Sequence, residues 1–320
     1  MTDANIPTRP PAAPRVRVPQ RPGDRIFSGT ARGAGIAILV ILAGVALFLV
    51  FESIPAITAP VEDLPDGESL AAYIGPLIFG TLLAAVIALV VATPLAVGIA
   101  LFITHFAPRR LAGPLAYVVD LLAAIPSVVF GMWGIVWLAP RLVPFYDWLH
   151  ANLSFIPLFA GPPSVTGRTM FTAGLVLAVM ILPIISAIAR EAFRQTPTLH
   201  EEAALALGAT RWEMIRMAVI PYGRSSIIGG AMLGLGRALG ETLAVTLVLS
   251  ATGGVVTFNL ISSENPSTIA ANLALQVPES SGLDVNVLIA SGLALFVITF
   301  AVNMLARYIV NRRADFSGAN

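Results

Sequence analysis

Arg237 and Glu241 lie inside the run Ile-Ile-Gly-Gly-Ala-Met-Leu-Gly-Leu-Gly-Arg-Ala-Leu-Gly-Glu-Thr-Leu-Ala-Val-Thr, residues 227–246, where an apolar setting should exclude both charges. In a helix they are one turn apart and share a face. An arginine at the centre of a membrane helix costs about 2.5–3.5 kcal/mol even on the lenient insertion scale, so that face must turn away from lipid. The two charges can neutralise each other as an internal salt bridge. A buried ion pair is often no better for stability than apolar residues of similar volume, so the pair needs another reason to be there.

Two further polar features interrupt the apolar runs. Asp120 is a second intramembrane acid, either a partner for Arg237 or a capping or snorkelling group nearer the membrane surface. Pro126 removes a backbone donor and frees a carbonyl, which the Ser127 hydroxyl or a cavity water can engage. A structural kink and a contact along a pathway explain Ser127 equally well.

Several chemistries find no residues to carry them. His105, His150 and His200 are scattered, and His200-Glu201 is followed by Ala204 where an HExxH motif needs histidine, so no metal site and no catalytic set are expected. Cysteine is absent, which removes disulfides and thiolate nucleophiles and leaves the redox compartment undetermined. All 19 basic residues are arginine. Without the lysine that a P-loop places on the terminal phosphates, this chain is not expected to hydrolyse ATP or to bind any cofactor itself.

The elements that position these residues are membrane spans. Of 320 residues 57% are hydrophobic and only 12% charged, too few charges to cover a soluble domain, so the chain reads as an all-α, polytopic membrane protein. Apolar runs at 33–51, 76–103, 112–139, 169–190, 227–250 and 286–308 are each long enough to cross a hydrocarbon core of roughly 30 Å. That gives six transmembrane helices. Residues 1–32, rich in Pro and Arg, read as a disordered arm rather than a signal peptide, residues 33–313 as the membrane domain, and 314–320 as a tail. Arginines cluster in the arm, at Arg109 and Arg110, in the stretch 190–224 and at Arg307, Arg312 and Arg313, whereas the alternate connections hold only Arg141 and Arg168. The positive-inside rule then places both termini and the 191–226 loop in the cytoplasm. The connection 140–168, with Tyr146 and Trp148, is expected against the outer interface, and no internal repeat is visible.

The 191–226 loop contains a charged helical hairpin. Ala-rich Glu202 to Leu207 is a good helix, Gly208 can take the left-handed conformation that ends it, and Thr210 can cap a second helix from Arg211 with Glu213 at its third position. The plain alternative is an amphipathic helix lying on the membrane surface. The stretch Glu202-Ala203-Ala204, then Gly208, Arg211 and Pro221, resembles the coupling (EAA) loop of ABC-importer permeases, where the ATPase docks. It departs from that pattern with Ala218 for Ile and Ile220 for Leu, both still apolar.

A second resemblance narrows the family. Arg237-Ala-Leu-Gly-Glu241 is similar to a segment of permeases for tetrahedral oxyanions, and its continuation Thr242-Leu-Ala-Val245 is that of the phosphate type. With Leu122-Ala-Ala-Ile-Pro-Ser-Val-Val-Phe-Gly131 and Thr93-Pro-Leu-Ala-Val-Gly-Ile-Ala-Leu-Phe102, residues 70–310 resemble the PstC-type permease family of phosphate ABC importers. The resemblance implies a type I ABC-importer permease architecture in the bacterial plasma (inner) membrane. It implies a second phosphate permease subunit, two copies of a cytoplasmic ATPase carrying ATP and Mg, and an extracytoplasmic phosphate-binding protein, with no nucleic acid. In that scheme Arg237, Glu241, Ser127, Thr242 and Asp120 line the phosphate path. The alternatives are a sulfate or molybdate permease, the sister phosphate subunit, or a proton-coupled secondary transporter using Glu241 or Asp120. An integral membrane enzyme is disfavoured, since no nucleophile–base set or metal cluster is found.

Overall fold

The computed structural model describes residues 22–251 and 256–314. Residues 1–21 of the predicted arm and 315–320 of the predicted tail lie outside the described residues. Helix α1, Pro22–Thr58, begins before the predicted span, with Pro22 at a helix start, where its missing N–H is no loss. Residues up to Phe48 form one unit and Leu49 onward a second. In the first unit Ile36, Ile38, Leu39, Val40 and Ile41 are all exposed, as suits a helix whose solvent is hydrocarbon.

The second unit is a helical assembly centred on α6, Met170–Arg194. Its side chains Leu177, Met180, Ile181 and Ile185 are fully buried. Helix α2, Leu70–Leu101, packs along α6 and extends through a wider π turn, Phe102–Phe106. Ala84, Ala88, Ala92, Ala96 and Ala100 of α2 recur every fourth residue and are all buried, so their small side chains form the contact stripe. Helix α9, Ile220–Leu239, packs against both α6 and α2. A Cβ added at Gly230 or Gly234 would sit 3.2 Å from Ile188 or Ile185, so the predicted close approach is realised there. At Gly236 the same atom would meet open space, and at Gly240 nothing nearer than 3.7 Å.

Among the described residues five helices are long and apolar enough to cross a membrane: Gly23–Thr58, Leu70–Phe106, Ser127–Leu153, Met170–Arg194 and Leu283–Tyr308. The other predicted span and one boundary need correction. The expected third span 112–139 is two pieces: α3, Arg109–Ala124, ends as Ile125 turns extended (φ −70, ψ 130), and α4, Ser127–Trp133, starts afresh after Pro126. Steric pressure from the proline ring on the preceding residue explains the break. The apolar run continues as α5, Ala139–Leu153, so much of the expected outer connection is helix. Tyr146 is buried, its hydroxyl 2.6 Å from Thr172 Oγ1, whereas Trp148 is exposed. The fifth span, 227–250, breaks at Gly240 into α9 and the short α10, Leu243–Val248.

The remaining helices are α7, Thr198–Ala206, α8, Arg211–Met214, α11, Ile269–Gln276, and α12, Leu283–Ala314. Buried Asn265 holds the segment before α11 in place. Its Oδ1 accepts from Met170 N–H at 2.9 Å, and its Nδ2 donates to the carbonyls of Ser262, Ser250 and Arg168 at 3.1, 3.2 and 3.3 Å.

Candidate functional site

The break at Gly240 sets the environment of Arg237 and Glu241. Arg237 falls in the last turn of α9 and is half-buried. There the carbonyl end of the helix dipole favours a cation. Among the described residues its guanidinium has no ion-pair or hydrogen-bond partner. Glu241 lies beyond the helix end, and its Oε1 accepts the Ala244 N–H at 3.4 Å, capping α10. The expected Arg237–Glu241 pair on one helix face is therefore corrected. A glycine at the fourth position and a carboxylate that competes for nearby backbone donors together stop the helix between them.

Thr242 occupies the N-cap position of α10, and its Oγ1 donates to the Gly240 carbonyl at 3.3 Å. Gly240 and Thr242 border an open cavity of about 500 Å³ with Ala270, Leu273 and Leu295. Helix α4 packs against α10, with Gly131 facing Ala244 and Leu247. Ser127, half-buried at the first position of α4, is thereby carried on an element that contacts α10, the helix that begins after Thr242. Asp120 is elsewhere engaged. Its Oδ1 accepts from Arg190 Nη2, joining α3 to α6, so the expected Asp120–Arg237 pairing is corrected. Arg190 is buried on the central helix, where an unpaired charge is strongly unfavourable, and Asp120 is the carboxylate within reach.

The hairpin forms as its residue types dictate. Gly208 has φ +87, the Ala209 N–H bonds the Ala204 carbonyl at 3.2 Å, and the Gly208 N–H bonds that of Leu205 at 3.0 Å. These are the two bonds of a Schellman motif. Thr210 and Glu213 form the reciprocal capping box. The Glu213 carboxyl is held below its ordinary 4.5 by hydrogen bonds from the Thr210 backbone N–H and then its hydroxyl. A π turn, Ile215–Val219, leads into α9 with Pro221 in its first turn.

The hairpin is two-faced. Met214, Ile215 and Val219 are buried against Ala100 and Leu101 of α2 and Ala189 and Phe193 of α6, with Ala204 packed on that cluster. Leu207 is 90% exposed and Trp212 57%, while Glu202, Ala203, Gly208 and Arg211 are also exposed. The apolar tip thus projects from a base seated on two membrane helices. A polar link supplements the seat: His105 Nε2 lies 3.6 Å from Glu201 Oε1, and His105 Nδ1 is 2.7 Å from Thr104 Oγ1.

Sequence reasoning missed Asn265, Arg190 as a buried ion-pair residue, and Arg168. The last is half-buried and donates through Nη2 to the Leu247 carbonyl at 3.2 Å. Only the composition carried a signal for it, as one of two arginines in connections otherwise poor in arginine.

Comparison with known proteins is consistent with this geometry. The profile of the family described as binding-protein-dependent transport system inner membrane component matches residues 92–315. A phosphate transport system permease protein, PstC 2, of Mycobacterium bovis is 46% identical over 308 residues, covering 93% of this chain and 94% of that one. The PstC permease of Mesorhizobium japonicum is 40% identical, covering 92% of each. Among solved structures, a chain of a bacterial alginate ABC transporter in complex with a pentasaccharide-bound periplasmic protein aligns with a TM-score of 0.60 at 18% identity, over 91% of this chain and 95% of that one.

Proposed function

The chain belongs to the family of binding-protein-dependent transport system inner membrane components, and from that premise we propose that it is a permease subunit of an ATP-driven importer of inorganic phosphate. The substrate follows from the phosphate transport permeases it resembles along nearly its whole length. One observation carries the assignment to this chain's own residues: a half-buried guanidinium, Arg237, at the end of α9, with no carboxylate partner among the described residues. Its planar set of donors suits a tetrahedral oxyanion.

Phosphate near neutral pH keeps a P–OH proton that sulfate lacks. Glu241, close in sequence but engaged with its own helix, can accept that proton's hydrogen bond and repel a fully ionised anion. Thr242 and Ser127 add hydroxyls along the same route. Asp120 has a different role in this reading, as the counter-ion that keeps Arg190 tolerable.

The partners are a second permease subunit, two copies of a cytoplasmic ATPase that carry the ATP and Mg, and an extracytoplasmic phosphate-binding protein. The hairpin from Glu202 to Pro221, with Leu207 and Trp212 at its tip, docks the ATPase. Closure of the ATPase dimer moves the hairpin, and the Met214–Val219 base passes that motion to α2 and α6. Both termini and the hairpin are cytoplasmic in a bacterial plasma membrane, with residues 33–313 forming the permease domain. Reconstitution with these partners in proteoliposomes tests the reading: phosphate uptake should require ATP and the binding protein. Uptake driven by a proton gradient alone would contradict it.

A further inference from the structure

A second cationic site lies at the C-terminal end of α10, where Arg168 Nη2 donates to the Leu247 carbonyl. Arg168 sits in the short connection before α6, next to Thr169, the helix N-cap. Together with Thr246, Ser250 and Ser267 it lines a cavity of about 280 Å³. Among the described residues no carboxylate pairs with it, and its Nε is buried without a hydrogen-bond partner. An unsatisfied buried donor on a permanent cation is destabilising, so its retention points to a ligand that satisfies the charge.

The cavity is held in shape before any ligand arrives. Asn265 donates to the carbonyls of both Arg168 and Ser250, so one buried side chain fixes the backbone on two walls. Below Arg168, the Thr172 hydroxyl donates to the Gly167 carbonyl at 2.6 Å and meets the Tyr146 hydroxyl at 2.6 Å. Such a shell keeps a polar site in register. Ser250 makes no side-chain hydrogen bond among the described residues, which leaves its hydroxyl to donate. Thr246 is already bonded through Oγ1 to the Thr242 carbonyl at 2.9 Å, one turn away. The cavity is thereby tied directly to the residue that borders the Gly240 break.

We propose that Arg168 and the Ser250 hydroxyl form a second binding site for a tetrahedral oxyanion, beyond the C-terminal end of α10 and separate from Arg237. The inference rests on the phosphate-import reading, for which it supplies a waiting position before the anion reaches Arg237. Two weaker cationic positions in series let an anion advance without being trapped, as multi-site conduction requires.

The test uses the complete wild-type importer in nanodiscs, treated with phenylglyoxal and mapped by mass spectrometry. Millimolar inorganic phosphate should slow modification of Arg168 several-fold relative to chloride at equal ionic strength. Arg141, stacked at 4.2 Å over Trp137, should keep its rate. In proteoliposomes, Arg168→Gln, which retains a donor for the Leu247 carbonyl, should lower uptake several-fold per assembled complex, and Arg168→Lys should recover part of it. An Arg168 unprotected by phosphate, or a Gln variant at the wild-type rate, in a complex that does import phosphate overturns the site and leaves the transport reading standing. A wild-type complex that imports no phosphate overturns the transport reading and the site with it.

Discussion

The guanidinium of Arg190 donates to the carboxylate of Asp120, joining the central helix α6 to α3. The contact is unequal, because Arg190 has 7% of its side chain exposed and Asp120 51%. It also removes from the neighbourhood of Arg237 the acid that sequence reasoning had offered it. Under the proposed function, stability and transport separate onto different arginines.

Asp120→Asn should destabilise the assembled protein by about 1–3 kcal/mol, below the roughly 3–5 kcal/mol of a fully buried broken pair because one partner is solvated. Thermal unfolding of the complex measures this. Uptake per folded complex should change little, whereas a loss of transport at wild-type stability would return Asp120 to the path.

Gly208 has φ +87 with open space around its missing Cβ, so backbone strain is the only penalty for a side chain there. Gly208→Ala should cost about 1–2 kcal/mol of hairpin stability and reduce copurification of the ATPase. Gly208→Asn, which tolerates the left-handed region, should restore most of it. Equal copurification by all three would show that the turn does not position the docking surface.

The Glu213 cap gives the hairpin a pH dependence of stated sign. Its carboxyl is held below 4.5 in the folded hairpin, so the stabilisation is fully present above that value and is lost as pH falls through the lowered folded pKa. Hydrogen-exchange protection of the Thr210 amide should decline over that acidic window and stay level from there to neutrality. Glu213→Gln, which still accepts but does not titrate, should flatten the profile. A wild-type decline near neutral pH would mean that another group controls the hairpin.

Orientation can be read in a chain with no native cysteine. Leu207→Cys, at the 90% exposed hairpin tip, should react with an impermeant thiol reagent only from the cytoplasmic side. Ser263→Cys, exposed in the segment before α11, should react only from outside. The reverse pattern would invert the topology.

The sequence was most informative where a local rule decides the outcome. The Gly208 turn and the Thr210–Glu213 box depend on residues a few positions apart and formed as expected, and Pro126 interrupted its helix more completely than the expected kink. The small residues Gly230 and Gly234 likewise announced a close helix contact. Pairings across the fold were not legible. Arg190–Asp120 spans 70 positions, and Asn265 reaches back 97 positions to Arg168, distances over which no spacing rule operates. Arg237 and Glu241 failed for a different reason: the helical spacing was right, but Gly240 and the capping preference of the carboxylate outweighed continuation of the helix.

The central claim is that the uncompensated charge of Arg237 serves the anion. It is tested most directly by ATP-driven phosphate uptake in proteoliposomes containing Arg237→Ala, Arg237→Lys and the Arg237→Ala, Glu241→Ala double variant, each normalised to assembled complex. All three should fall at least about tenfold, equivalent to about 1.4 kcal/mol, the lysine variant included because a point charge lacks the planar fork. Wild-type uptake by the double variant, with assembly intact, would show that the two charges are structural and would contradict the account.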